Sequence, residues 1–137
     1  MKVVIVGCGR VGAYLATTLD AEGHDVTVID MQPNAFRRLA PTFGGSAVVG
    51  TGIDEDILRS GGITDADVFF ATTNGDNTNL MAAQIAKDIF RVAQVTARVY
   101  DPVRAEIFRE LGVQTICPTT TISRLMLESV SLPVGAS

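Results

Sequence analysis

The residues most able to do chemistry sit in one short run, Gly7-Cys8-Gly9-Arg10-Val11-Gly12, which spells G-x-G-x-x-G directly after an apolar stretch, Val3-Val4-Ile5-Val6. In that setting Gly7 permits a tight turn, Gly9 lets backbone approach a pyrophosphate, and Gly12 lets a following helix pack closely on the strand. A helix starting there offers unpaired N–H groups and a partial positive charge to phosphate. Asp30 ends the next β-branched run, Val26 to Ile29, where a carboxylate can accept from both ribose hydroxyls of an adenine nucleotide. The same residues also suit an empty glycine turn with Asp30 as a helix cap. Arg10 can pair with phosphate oxygens by charge-assisted bonds or remain a solvated surface residue. Met31 brings no cation to the 2′ position, so NAD is expected in preference to NADP, although Arg37 and Arg38 follow nearby. Gly50-Thr51-Gly52 and Thr72-Thr73-Asn74-Gly75-Asp76-Asn77 each follow a further strand-like run. Small residues there leave room for adenine and ribose, and the second cluster also suits helix capping.

An acid–base set for catalysis is hard to find. His24, the sole histidine, reads as a surface turn residue remote from the glycine turn. Cys8 reads as a small buried filler rather than a redox-sensing thiol. The Tyr-x-x-x-Lys pair of short-chain dehydrogenases has no match, since Tyr100 is followed by Arg104 and Tyr14 by Thr18. No catalytic residue and no metal site are expected. Cys8 and Cys117 form no metal-spaced set and read as reduced thiols.

The elements that position these residues follow from the pattern. Strands are expected at Val3–Val6, Val26–Ile29, Ala47–Val49, Val68–Thr72, Val95–Val99 and Val113–Ile116. Helices are expected at Val11–Glu22, Pro33–Phe43, Asp54–Ser60 and Asn79–Arg91, with another running from an Asp101-Pro102 start to Leu111. This alternation predicts an α/β Rossmann-type fold, a doubly wound parallel six-stranded sheet in the order 3-2-1-4-5-6. Thr120 to Leu132 carries Ile122, Leu125, Met126 and Val130 at helical spacing but has no following strand. It packs either on its own sheet or on a second subunit.

The bulk composition agrees. With 137 residues, 47% hydrophobic and 19% charged, the chain has the length of one domain and can bury a core. A net charge of −4 argues against a nucleic-acid partner, which needs a basic stripe. No run approaches the length of a membrane span, and the apolar start is too short for a signal peptide.

Five stretches together resemble a known family. They are Met1 to Gly12, His24 to Asp30, Val48 to Leu58, Asp67 to Leu80 (D-V-F-F-A-T-T-N-G-D-N-T-N-L), and Ala97 to Pro118 (A-R-V-Y-D-P-V-R-A-E-I-F-R-E-L-G-V-Q-T-I-C-P). The chain is similar to the N-terminal nucleotide-binding domain of Trk/Ktr-type potassium-transport regulators, the TrkA-N, KTN or RCK domain. The resemblance implies a non-enzymatic cytoplasmic subunit, peripheral to the inner face of the cell membrane, that binds NAD(H) or ATP/ADP. It implies a homodimer or larger ring that gates a membrane potassium transporter by nucleotide-dependent rearrangement. It implies that Gly7, Gly9, Arg10, Val11 and Gly12 hold phosphates and that Asp30, followed by Met31, holds the ribose. Gly50 and Thr51 would flank the adenine, Thr72, Thr73 and Asn74 would lie on the phosphate or nicotinamide side, and Arg98 would reach the terminal phosphate. Residues 1–119 would form the nucleotide-binding domain and 120–137 a pairing helix and tail. Full-length regulators usually carry a second, smaller C-terminal domain that these residues do not match. Thr119 stands where some relatives place an acidic ligand for a divalent cation. The competing expectation is the cofactor-binding fragment of an NAD-dependent oxidoreductase.

Overall fold

The structure, a computed structural model, describes residues 1–133. Six strands form one parallel sheet: β1 (Lys2–Val6), β2 (Asp25–Asp30), β3 (Ser46–Val49), β4 (Val68–Ala71), β5 (Gln94–Arg98) and β6 (Gln114–Ile116). Their order is β3-β2-β1-β4-β5-β6, as the alternation predicts. Register is set by period-two burial. Val3 and Ile5 face one core with Ala13 and Ala16, while Val4 and Val6 face the other with Leu58, Leu80 and Ala83. A near-continuous apolar β1 is what a strand covered on both faces requires.

Helix α1 (Arg10–Ala21) and a 3₁₀ helix (Pro33–Arg38) supply the first core. Helices α2 (Glu55–Ser60), α3 (Asp76–Gln84) and α4 (Pro102–Glu110) supply the second. Asp54 caps α2, its carboxylate accepting from the N–H groups of Asp56 and Ile57. Asp101 caps α4, with Pro102 in the first turn.

Three helices differ from the sequence expectation. The expected helix Pro33–Phe43 stops as a 3₁₀ helix at Arg38. Pro41 lacks an N–H and disfavours helical backbone at Ala40, so the chain leaves in extended form at Leu39. Helix α3 starts at Asp76, three residues before the expected Asn79, and Ile85–Ile89 continues it as a π turn. Its cap is Gly75, which has no side chain to cap with, so the Thr72–Asn77 cluster has another role. The C-terminal helix, α5 (Pro118–Glu128), starts earlier and ends earlier than Thr120–Leu132, leaving Val130 and Leu132 beyond it. None of its residues is buried, so it does not pack on its own sheet. Residues 134–137 of the expected tail lie outside the described part. Among the described residues no helix is long and apolar enough to cross a membrane.

Candidate functional site

The sheet order reverses between β1 and β4, and a cleft of about 830 Å³ opens there at the carboxyl ends of the strands. Ligands of open α/β sheets bind at this switch point, and the volume suits a small-molecule site. Gly7 adopts φ +101°, a left-handed conformation that favours glycine, and donates its N–H to Ile29 O at 2.7 Å. A Cβ on Gly12 would sit 1.8 Å from Gly7 O, so Gly12 is needed for α1 to approach the turn. Gly9 is different. A Cβ there would meet no protein atom within 4 Å, so nothing in the protein itself requires its bareness. That bareness leaves backbone open to the cleft. Gly9 is also the N-cap of α1, with no side-chain cap, so the helix presents its first N–H groups uncovered.

Asp30 ends β2 with both carboxylate oxygens engaged. Oδ2 accepts from the Cys8 N–H and Oδ1 from the Gln32 N–H, each at 2.8 Å. These bonds fix the carboxylate against the glycine turn. A carboxylate oxygen has two lone pairs, so each retains capacity for a hydroxyl donor. The neighbouring Cys8 thiol is held above its ordinary pKa, first by burial and then by the Asp30 charge, with Arg38 opposing. It is a protonated, buried filler at neutral pH.

The loop after β4 is built from inside. Thr72 Oγ1 faces the carbonyls of Val6 and Gly7 at 3.1 and 3.0 Å, tying β4 to the glycine turn. Asn79, fully buried in the first turns of α3, holds Thr73 on both sides. Its Oδ1 accepts from the Thr73 N–H (2.9 Å) and hydroxyl (2.6 Å), and its Nδ2 donates to Thr73 O (2.8 Å) and Arg98 O (2.9 Å). Asp76 caps nothing in its own helix. It accepts instead from the N–H groups of Tyr100 and Asp101, tying α3 to the loop after β5.

The predicted residues therefore fall into three positions. Gly7, Gly9, Asp30, Met31, Gly50, Thr51, Thr72, Thr73 and Asn74 line the cleft. Arg10, Val11 and Gly12 form the first turn of α1, with Arg10 exposed over an adjoining depression. Arg98 is not part of the lining. Its Nη2 donates to the carbonyls of Thr72 and Thr73 and to Asn74 Oδ1, and its guanidinium stacks 5.2 Å from the Tyr100 ring centroid. Its Nε is buried without a partner. In this structure Arg98 braces the β4 loop from behind. Gly50 and Gly52 have packing reasons of their own, since added Cβ atoms would strike Ile57 at 2.8 Å and Val6 at 2.3 Å.

Sequence reasoning did not single out Gln32, Asn34 and Thr78, which also line the cleft, or the scaffold role of Asn79. The signal for Asn79 was available: a polar residue beside Leu80, on a helix face otherwise filled by Ala82 and Ala83. His24 lies in the turn before β2, where the amino terminus donates to its Nδ1 at 3.1 Å, far from the cleft. Among the described residues no cluster of His, Cys, Asp or Glu could hold a metal.

Comparisons with known proteins agree with the fold. A family profile described as the TrkA-N domain matches residues 3–119. The chain is 48% identical over 136 residues to the Trk system potassium uptake protein TrkA of Streptomyces coelicolor, covering 99% of this chain and 60% of that one. The Trk system potassium uptake protein TrkA homologs of Pyrococcus abyssi and Methanothermobacter thermautotrophicus are each 33% identical, over 81% and 97% of this chain, and the chain spans 49% and 62% of their lengths. Among solved structures, the TrkA-N domain of the Escherichia coli inner membrane protein ybaL superposes with a TM-score of 0.83. It is 24% identical, with 95% of this chain and 96% of that one covered. The C-terminal domain of Shewanella denitrificans Kef, solved in an AMP-bound form, superposes with a TM-score of 0.78. It is 21% identical, with 94% and 79% covered.

Proposed function

From the premise that the chain belongs to the TrkA-N domain family, we propose that it is the adenine-nucleotide-sensing module of a potassium uptake system. The observation that carries this reading is Gly9, an uncapped helix start with no packing reason to lack a side chain, beside the fixed carboxylate of Asp30. A phosphate at the bare turn and a ribose at Asp30 together describe an adenine nucleotide, NAD(H) or ATP/ADP. The site contains no acid–base pair. Its ionisable lining is Asp30, Cys8, Arg37 and Arg38, a set suited to holding a nucleotide rather than reacting with it.

The ligand acts by shifting populations. Two copies pair through α5, whose Ile122, Leu125, Met126 and Leu127 are all more than half exposed. Pairs assemble into a ring on the cytoplasmic face of a membrane transporter subunit. Nucleotides that favour different pair geometries then bias the gate. A ligand moves such an equilibrium only by its differential affinity, and a change from 1:99 to 99:1 needs about 10⁴-fold. The test is calorimetric titration of the purified protein with NAD+, NADH, ATP, ADP and AMP. Saturable binding of at least one is expected, and no heat from any of them overturns the reading.

A further inference from the structure

Most arginines of this chain are occupied. Arg59 and Arg109 pair with Glu55, Asp56 and Glu106, Arg124 with Glu128, Arg98 with loop carbonyls and Arg104 with Asn77. Among the described residues, Arg10, Arg37, Arg38 and Arg91 make no ion pair or hydrogen bond with the rest of the chain. Arg91 precedes β5, at the opposite ends of the strands from the cleft. The other three border the glycine turn. A chain of net charge −4 thus gathers three of its four unpaired arginines at one place, where the lining offers a single carboxylate, Asp30, already accepting two N–H bonds.

Arg38 has a particular position within this group. It lines both the main cleft and the adjoining depression of about 480 Å³ that it shares with Arg10 and Tyr14. It is therefore the residue that joins the two. Its charge is felt at the Cys8 thiol inside the glycine turn. Its backbone is anchored: Ala35 is buried, Phe36 and Leu39 pack on the core, and the Ala40 N–H donates to Thr17 Oγ1 of α1 at 3.3 Å. The guanidinium alone is free, so ligand binding orders one side chain rather than a loop. Arg10 approaches the same turn from the start of α1.

We propose that Arg38 is a specificity-determining residue of the cleft. It forms with Arg10 a two-arginine clamp for phosphates beyond the first, selecting nucleoside di- and triphosphates over monophosphates. This rests on the adenine-nucleotide reading above. With ribose at Asp30 and the first phosphate on the uncapped start of α1, the following phosphates lie between the two guanidinia. There charge-assisted, bidentate contacts add with each phosphate. The remaining negative charge of the protein makes this local field more selective, since polyanions are repelled elsewhere.

The test is titration of the full chain, wild type, Arg38→Ala and Arg38→Lys, with AMP, ADP, ATP and NADP. Wild type should bind with affinity rising from AMP to ADP to ATP. Arg38→Ala should flatten that rise, ADP and ATP losing roughly tenfold while AMP changes by less than about threefold. Arg38→Lys should restore part of it, because the charge returns without the fork. Equal losses for all three nucleotides, or none, overturn the proposal. So does a loss confined to NADP, which would place Arg38 at the ribose 2′ position. Wild type that binds no adenine nucleotide overturns the parent reading and the clamp together, and the variants are not needed to see it.

Discussion

Gly9 and Gly12 belong to one motif but answer to different demands, and substitution separates them. Gly12→Ala places a methyl group against Gly7 O and should destabilise the fold by about 1–3 kcal/mol, read as a lowered denaturation midpoint. Gly9→Ala meets no protein atom and has ordinary extended backbone, so stability should fall by no more than about 1 kcal/mol. Nucleotide affinity should nevertheless drop at least about tenfold, because the methyl group occupies the phosphate approach. Unchanged affinity in Gly9→Ala would remove the phosphate from the turn. Asp30→Ala should weaken adenine-nucleotide binding by about 1.5–3 kcal/mol through lost charged hydrogen bonds. It also frees the N–H groups of Cys8 and Gln32, so a thermal melt must accompany the titration. NADP should bind less tightly than NAD, since a 2′-phosphate would face the Asp30 carboxylate beside uncharged Met31. Equal titration curves would contradict this and point to Arg37 or Arg38 as its partner.

At the scale of elements, what was legible in the sequence is what depends on short-range pattern. The glycine turn, the acid at the end of β2 and the Asp101-Pro102 start of α4 are local signals, and each lies where the spacing puts it. The strand order follows because parallel crossovers leave few topologies. The misreadings arose where a longer-range or steric term prevailed. Pro41 truncated the segment after Pro33, and Asp76 was drawn from capping to the N–H groups of Tyr100 and Asp101, a contact between distant segments. The family resemblance implies Arg98 at a terminal phosphate, which is a separate matter from these element bounds. Its side chain is held by carbonyls whose location only the folded loop defines. Helix α5 provides the test at this scale. Its apolar residues are unburied in the single chain, and a helix of this length is marginal in water without a surface to cover it. A symmetric pair would bury the same patch twice. The Leu125→Asp, Met126→Asp double variant should shift the protein to monomer in light scattering while circular dichroism stays unchanged. A folded dimer would show that α5 is not the contact, and an unfolded chain would overturn its placement away from its own sheet.

For the molecule as a whole, the cleft lies between two cores that share only the sheet. One contains α1 and the 3₁₀ helix, the other α2, α3 and α4. A nucleotide bridging the glycine turn, Asp30 and the β4 loop ties both layers together at β1 and β4. Saturating nucleotide should therefore raise the unfolding temperature, with stabilisation of about 2.7 kcal/mol when free ligand is a hundred times its Kd. The shift should grow with ligand concentration, and a melting curve indifferent to nucleotide would show that the folded state gains nothing from it. The sheet order has another consequence, one of time. β1 pairs with β2 on one side, Val3 beside Val26, and with β4 on the other, Val3 beside Val68. During synthesis from N- to C-terminus, β1 leaves the ribosome well before β4 and must wait with the N–H and C=O groups of one edge unpaired. Such edges are where nascent chains misassociate. The cleft, walled by both strands, comes into existence only when that wait ends, so any ligand that needs both walls can bind only after the sheet has closed.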